Sequence, residues 1–147
     1  ITDRKKDILV LSGGDTLSPA RIENALTRQP EIHQAMVYGD KRPHLVALLV
    51  PDEDFCREWA TDNGTAHDLA TLAETPAFQT ALDAVVRRVN KKMAPPERIR
   101  RFTIAPETFT VENDMLTPTL KLKRRIVMDE YGELVESLFD EERGVAA

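Results

Sequence analysis

The chain has 147 residues, 41% of them apolar and 31% charged, which suits one soluble domain with a core of its own. A formal net charge of −5 argues against a general nucleic-acid binder, and a single cysteine, Cys56, excludes an internal disulfide and a cysteine-based zinc cage. No apolar run approaches the roughly 20 residues of a membrane helix, no signal-peptide pattern opens the chain, and His33, His44 and His67 lack metal-ligand spacing.

The chain opens at Ile1 in a charged turn, Thr2-Asp3-Arg4-Lys5-Lys6-Asp7, as expected of a segment trimmed from a longer protein. Ile8–Leu11 is a β-prone run, and Gly13-Gly14-Asp15 breaks it with residues suited to a hairpin turn at positive φ. Ser18-Pro19 supplies an N-cap and a proline at the first helical position, with Ile22, Ala25 and Leu26 facing inward before Gln29-Pro30. Ile32–Tyr38 and His44–Val50 read as an antiparallel pair of strands, and the nearly unbroken apolar run of the second makes it a central strand covered on both faces. Asp52 caps a helix carrying Phe55 and Trp59 that Asn63-Gly64 closes. Both aromatics read as core, and Cys56 as a small buried residue rather than a nucleophile.

Phe78, Leu82, Val85, Val86, Val89 and Met93 keep helical spacing between Thr75 and Met93, and Ala94-Pro95-Pro96 stops the pattern. Ile99–Ile104 reads as a strand, 106–120 as a polar, turn-rich stretch, and Val127, Tyr131, Leu134, Val135 and Leu138 as the inward face of a last helix. The tail at 143–147 reads as frayed. The sum is an α+β domain: a small, mainly antiparallel sheet flanked by helices and preceded by a short N-terminal β-hairpin.

Nothing in this order makes a self-sufficient active site. There is no Ser/His/Asp set at catalytic spacing and no G-x-x-x-x-G-K-[ST] phosphate loop, and Gly13-Gly14 by itself reads as a turn. Two regions are less ordinary. One runs from Asp3-Arg4-Lys5-Lys6-Asp7 through Ser12-Gly13-Gly14 to Pro19-Ala20-Arg21-Ile22-Glu23. The other is Leu116-Thr117-Pro118-Thr119-Leu120-Lys121-Leu122-Lys123-Arg124. A lysine beside a proline-stiffened loop can be aimed at an anion, although a run such as Lys121–Arg125 read from the residues alone is a solvated face.

Together, in this order and about a hundred residues apart, the two regions resemble the paired motifs of the acyl-adenylate-forming superfamily. The first resembles the hinge motif between its large and small domains. The second resembles its C-terminal lysine motif, in the L-T-P-T-x-K-x-K-R spelling of the long-chain fatty acid–CoA ligase branch. The resemblance implies a mobile C-terminal lid domain over 8–142, with 1–7 as linker to a large N-terminal domain of the same polypeptide. It implies Lys121 as the catalytic lysine of adenylation, Lys6 as the hinge, Arg4 as a nucleotide contact, and Ser12, Gly13 and Gly14 as a turn facing CoA. It further implies fatty acid, ATP with Mg²⁺, and CoA as substrates and cofactors, the ATP and metal held mainly by the large domain. No metal site is expected in this segment. A cytoplasmic setting is expected, and peripheral membrane association of the whole enzyme stays open. Arg98, Arg100, Arg101, Lys123 and Arg124 read first as surface charges, with the CoA phosphates as the alternative. Leu120 stands where many members have Gly, so their loop geometry does not carry over. The competing readings are the lid of another adenylate former, such as a medium-chain or aryl-CoA ligase, and a free-standing α+β interaction module.

Overall fold

A computed structural model describes residues 8–39, 41–66, 68–105 and 107–145, and every structural statement below concerns these residues. Strands β1 (Leu9–Val10) and β2 (Thr16–Leu17) form an antiparallel hairpin whose turn places Gly14 at φ +97. The Ser18 hydroxyl accepts from the Arg21 N–H at 3.4 Å and starts α1 (Pro19–Thr27). Strand β3 (Ile32–Tyr38) returns as β4 (Leu45–Pro51), antiparallel to it. The Asp52 carboxylate caps α2 (Glu53–Asn63) at the Phe55 N–H, 3.1 Å away, and Gly64 ends that helix in the left-handed region. Helices α3 (Leu69–Ala73) and α4 (Pro76–Asn90) follow, then a 3₁₀ turn (Pro95–Glu97), β5 (Ile99–Ile104) and α5 (Arg124–Val145).

Strand β4 explains how these pieces stack. All seven of its residues are buried, and its side chains alternate between two cores. Leu45, Ala47 and Leu49 join Ile22, Leu26, Val85, Val86 and Val89 beneath α1 and α4. Val46, Leu48 and Val50 join Val127, Tyr131, Val135 and Leu138 beneath α5. The sheet is therefore a middle layer between helices, which is why the sequence of β4 shows no polar alternation.

The α+β class is as expected, with one feature the sequence did not show: the three-stranded sheet, in order β3-β4-β5, is mixed. The hairpin and the β3–β4 pair are antiparallel, but β5 runs parallel to β4 because α2–α4 carry the chain back across the sheet before it re-enters. Helix α3, with Leu72 fully buried, was not anticipated. Helix α4 ends at Asn90, before Met93, because the Asn90 side chain turns to pair with both backbone groups of Ile99, at 2.9 Å each. Leu134 departs from the expected inward face and is 36% exposed, since Val127, Tyr131, Val135 and Leu138 already complete the stripe of α5. The stretch after β5 also hides more than its polarity suggested. Phe109 and Met115 are buried in it, and the Gln34 amide grips the Phe109 backbone, donating to its C=O at 2.8 Å and accepting from its N–H at 2.7 Å.

Phe55 and Trp59 are half-buried and stack around Phe78, with ring centroids 5.7 and 5.1 Å from it, so both belong to the core as expected. Cys56 is buried beside them. Burial, aided by the charges of Asp52 and Glu53, pushes its thiol up from an ordinary value of 9.0 to about 11. The unfolded chain loses that proton first, so this contribution to stability is complete below pH 9.0 and is lost as pH rises through about 11. The native protein at pH 8 should react with a thiol reagent only as fast as it opens, and addition of denaturant should release one reactive thiol. Immediate stoichiometric labelling of the native protein would contradict the burial.

Candidate functional site

The Lys121 loop is a small hairpin built by its own sequence. The Leu120 N–H donates to the Thr117 C=O at 2.7 Å, closing a turn with Pro118 in its second position. The Thr117 N–H donates to the Lys121 C=O at 2.8 Å, and the Thr117 hydroxyl accepts from the Lys121 N–H at 3.0 Å. A bridge between Leu116 and Leu122 continues the pairing. Leu120 takes φ +65 between the turn and Lys121, the left-handed residue that a three-residue hairpin loop requires. The backbone of Lys121 is thus held on both sides.

Its neighbours are held by their charges. Lys123 pairs with Asp114 at 2.5 Å. Arg124 forks onto Glu23, with Nη1 to Oε2 at 2.5 Å and Nη2 to Oε1 at 2.6 Å. These contacts fix two of the basic residues considered for CoA phosphates inside the domain. The ammonium of Lys121 makes no hydrogen bond or ion pair among the described residues, and the residue is exposed. It stands at an open groove of about 980 Å³ whose walls include α1 (Glu23), β3 (Gln34), the stretch after β5 (Phe109, Thr110) and Leu120.

The second patch is the β1–β2 turn. The Ser12 N–H donates to the Arg42 C=O at 2.9 Å, and the Lys41 N–H donates to the Val10 C=O at 2.7 Å, so the turn leans on the β3–β4 loop. The Arg42 guanidinium in turn pairs with Glu136 on α5. A Cβ at Gly14 would meet nothing within 4 Å, and one at Gly13 would meet only Asp15 Oδ2, at 4.0 Å. Gly14 is required for its positive φ, whereas nothing within the domain requires glycine at 13. At Gly13 and Gly14 the turn presents bare backbone to open space.

Residues 6–143 match the family model described as AMP-binding enzyme C-terminal domain. The chain belongs to that family. It is similar to a long-chain-fatty-acid–CoA ligase of Mycobacterium tuberculosis, 35% identical over 144 residues that make up 97% of this chain and 24% of the relative. It is also similar to human long-chain-fatty-acid–CoA ligase 1, at 30% identity, covering 95% of this chain and 20% of that protein. Among solved structures it resembles the A-PCP didomain of carboxylic acid reductase from Segniliparus rugosus in complex with AMP, with a TM-score of 0.75 and 27% identity, over 96% of this chain and 18% of the other. The chain thus spans about a quarter of the length of the M. tuberculosis relative.

Within this C-terminal domain, the two patches meet β3 at different places. The groove of Lys121 touches Gln34 and Ala35, and the glycine turn contacts the loop that follows Tyr38. No residue that lines the groove is one on which the turn leans. Lys121 and Ser12-Gly13-Gly14 are therefore separate surfaces, as two alternating uses of one domain would need. Arg4 and Lys6 lie outside the described residues. Among the described residues no group of three or more His, Cys, Asp or Glu side chains is placed to hold a metal, and no helix is long and apolar enough to cross a membrane.

Glu23 closes the first motif in the sequence, but no role or partner could be read for it there. The clue was a glutamate beside the apolar stripe of Ile22 and Leu26, facing inward on α1 with no partner nearby in sequence. Leu120 is the other surprise: the departure from glycine leaves the backbone in the conformation glycine would adopt. A left-handed Leu costs about 1–2 kcal/mol, against roughly 0.5–1 kcal/mol for the extra freedom of glycine in the unfolded chain. Because Leu120 is 68% exposed, Leu120→Gly should leave stability unchanged or raise it by up to about 1.5 kcal/mol in denaturant unfolding. A loss beyond about 1 kcal/mol would contradict the exposure of the side chain.

Proposed function

We propose that this chain is the mobile lid of an ATP-dependent long-chain fatty acid–CoA ligase. In this reading the whole enzyme, with its large N-terminal domain, converts fatty acid, ATP and CoA to acyl-CoA, AMP and pyrophosphate. The observation that carries it is the Lys121 ammonium, unpaired among the described residues on a doubly tethered loop while Lys123 and Arg124 are held in ion pairs. Family membership and the long-chain ligases at 30–35% identity support the choice of reaction.

The chemistry follows from the charges. When the fatty carboxylate attacks the α-phosphorus of ATP, negative charge gathers on the phosphoryl oxygens while pyrophosphate departs. An ammonium at that point stabilises the transition state more than the ground state. In the second step the CoA thiol attacks the acyl carbonyl and AMP leaves. This step is assigned to the Ser12-Gly13-Gly14 turn, whose two glycines let a slender ligand approach the backbone. Lys6 as hinge and Arg4 as nucleotide contact complete the reading, with rotation about the linker exchanging the two patches. Mg²⁺ is assigned to the large domain, and the enzyme to the cytoplasm.

The fold similarity to a carboxylic acid reductase bound to AMP favours one second reading, an adenylation unit that does not release acyl-CoA. Purified intact protein supplied with ATP, free CoA and acids of graded chain length separates the two. Formation of long-chain acyl-CoA supports the ligase reading, and adenylation with no use of free CoA overturns it.

A further inference from the structure

We propose that Glu23 and Arg124 form a positioning pair that holds Lys121 for the adenylation step, an inference that rests on the role given to Lys121 above. Glu23 is 8% exposed, the one buried charged residue among the described side chains. Its carboxylate accepts both arms of the Arg124 fork, at 2.5 and 2.6 Å, and also the Val37 N–H at 2.7 Å. One side chain thereby ties α1, strand β3 and the first residue of α5 together.

Stability alone is a weak reason for such a pair. Burying a carboxylate against arginine is often no better than a well-packed apolar pair. Arg124 also sits at the positive end of the α5 dipole, where a cation is disfavoured. What the pair provides is geometry, because a bidentate fork fixes orientation as well as distance. Arg124 lies three residues after Lys121, and the link between them is stiff: Leu122 bridges to Leu116, and the Lys123 N–H donates to the Met115 C=O at 2.8 Å. Glu23, Arg124 and Lys121 line the same groove. A shift at Arg124 is passed along a braced segment to the lysine.

The test uses the intact enzyme with E23Q, R124K, K121A and the K121A/E23Q double variant. E23Q keeps size and an acceptor for Val37, and R124K keeps the charge but loses the fork. Both should slow ATP–pyrophosphate exchange roughly 10- to 100-fold in kcat, with the KM for ATP changed by less than about twofold. Thioester formation from supplied acyl-adenylate and CoA should stay within about twofold of wild type. The double variant should be no slower in exchange than K121A alone, because a positioning residue has nothing left to position. Circular dichroism melts set a common assay temperature below every midpoint, and R124K serves if E23Q folds poorly. Additive losses in the double variant, or equal losses in both half-reactions, overturn the proposal while leaving the role of Lys121 intact. Full exchange activity in K121A overturns both.

Discussion

Alanine at Lys121 in the intact protein is expected to slow acyl-adenylate formation by about 10²–10³-fold, the usual loss when one preorganised group facing developing charge is removed. The reason lies in the loop. Its turn, the Thr117 hydroxyl and the Leu116–Leu122 bridge hold the lysine backbone without using the ammonium. Removing the side chain beyond Cβ therefore leaves every one of these hydrogen bonds in place, and the melting midpoint should stay within about 1 °C, as for a surface substitution. K121R should recover little, because a planar fork cannot stand in for a compact point charge on a slender stem. Pyrophosphate exchange at saturating fatty acid checks this. A midpoint that falls by several degrees would show that the ammonium holds the fold.

Leu48→Ala should destabilise the domain by about 2–5 kcal/mol, a large share of the stability of a domain this size. Leu48 is fully buried on the face of β4 that meets α5, among Val127, Tyr131 and Val135. A cavity there loosens the helix whose first residue anchors the Lys121 loop. Urea unfolding gives the loss directly, and a change below 1 kcal/mol would contradict the central place given to β4. The same core holds the Tyr131 hydroxyl, which donates to Glu107 at 3.1 Å. Burial first, then that hydrogen bond, pushes its phenol from 10.0 to about 12, so its contribution is complete below pH 10.0 and is lost toward about 12.

Much of this architecture was legible because local chemistry and global packing agree. Ser18-Pro19, Asp52 and Asn63-Gly64 marked helix ends that the structure keeps, and the apolar run of β4 announced a strand covered on both faces. The direction of β5 was not legible, because its own residues carry no record of how α2–α4 cross the sheet. Leu134 was misplaced because a stripe of about 3.6 residues per turn drifts along a long helix, and Leu134 and Val135, four and three residues before Leu138, fit a short window equally well. The burial of Phe109 and Met115 depends on Gln34, 75 residues before Phe109, which no local pattern reports.

The candidate site divided in the same way. Lys121 and the glycine turn were visible as motifs, since their chemistry is carried by short runs. Glu23 and Arg124 stand in the same two motifs, but their pairing was not legible, because it arises only when residues 101 positions apart come within 2.5 Å. A surface charge run and a buried helix-end anchor look alike in sequence, and only the partner separates them.

The most direct measurement compares the two half-reactions of wild type and K121A on the same intact preparation. One assay starts from fatty acid and ATP, the other from preformed acyl-adenylate and CoA. With Lys121 serving adenylation, the ratio of the two rates shifts by about 100-fold or more, almost all of it from the first assay. An equal fall in both rates, or no fall in either, would contradict the assignment of Lys121 to adenylation.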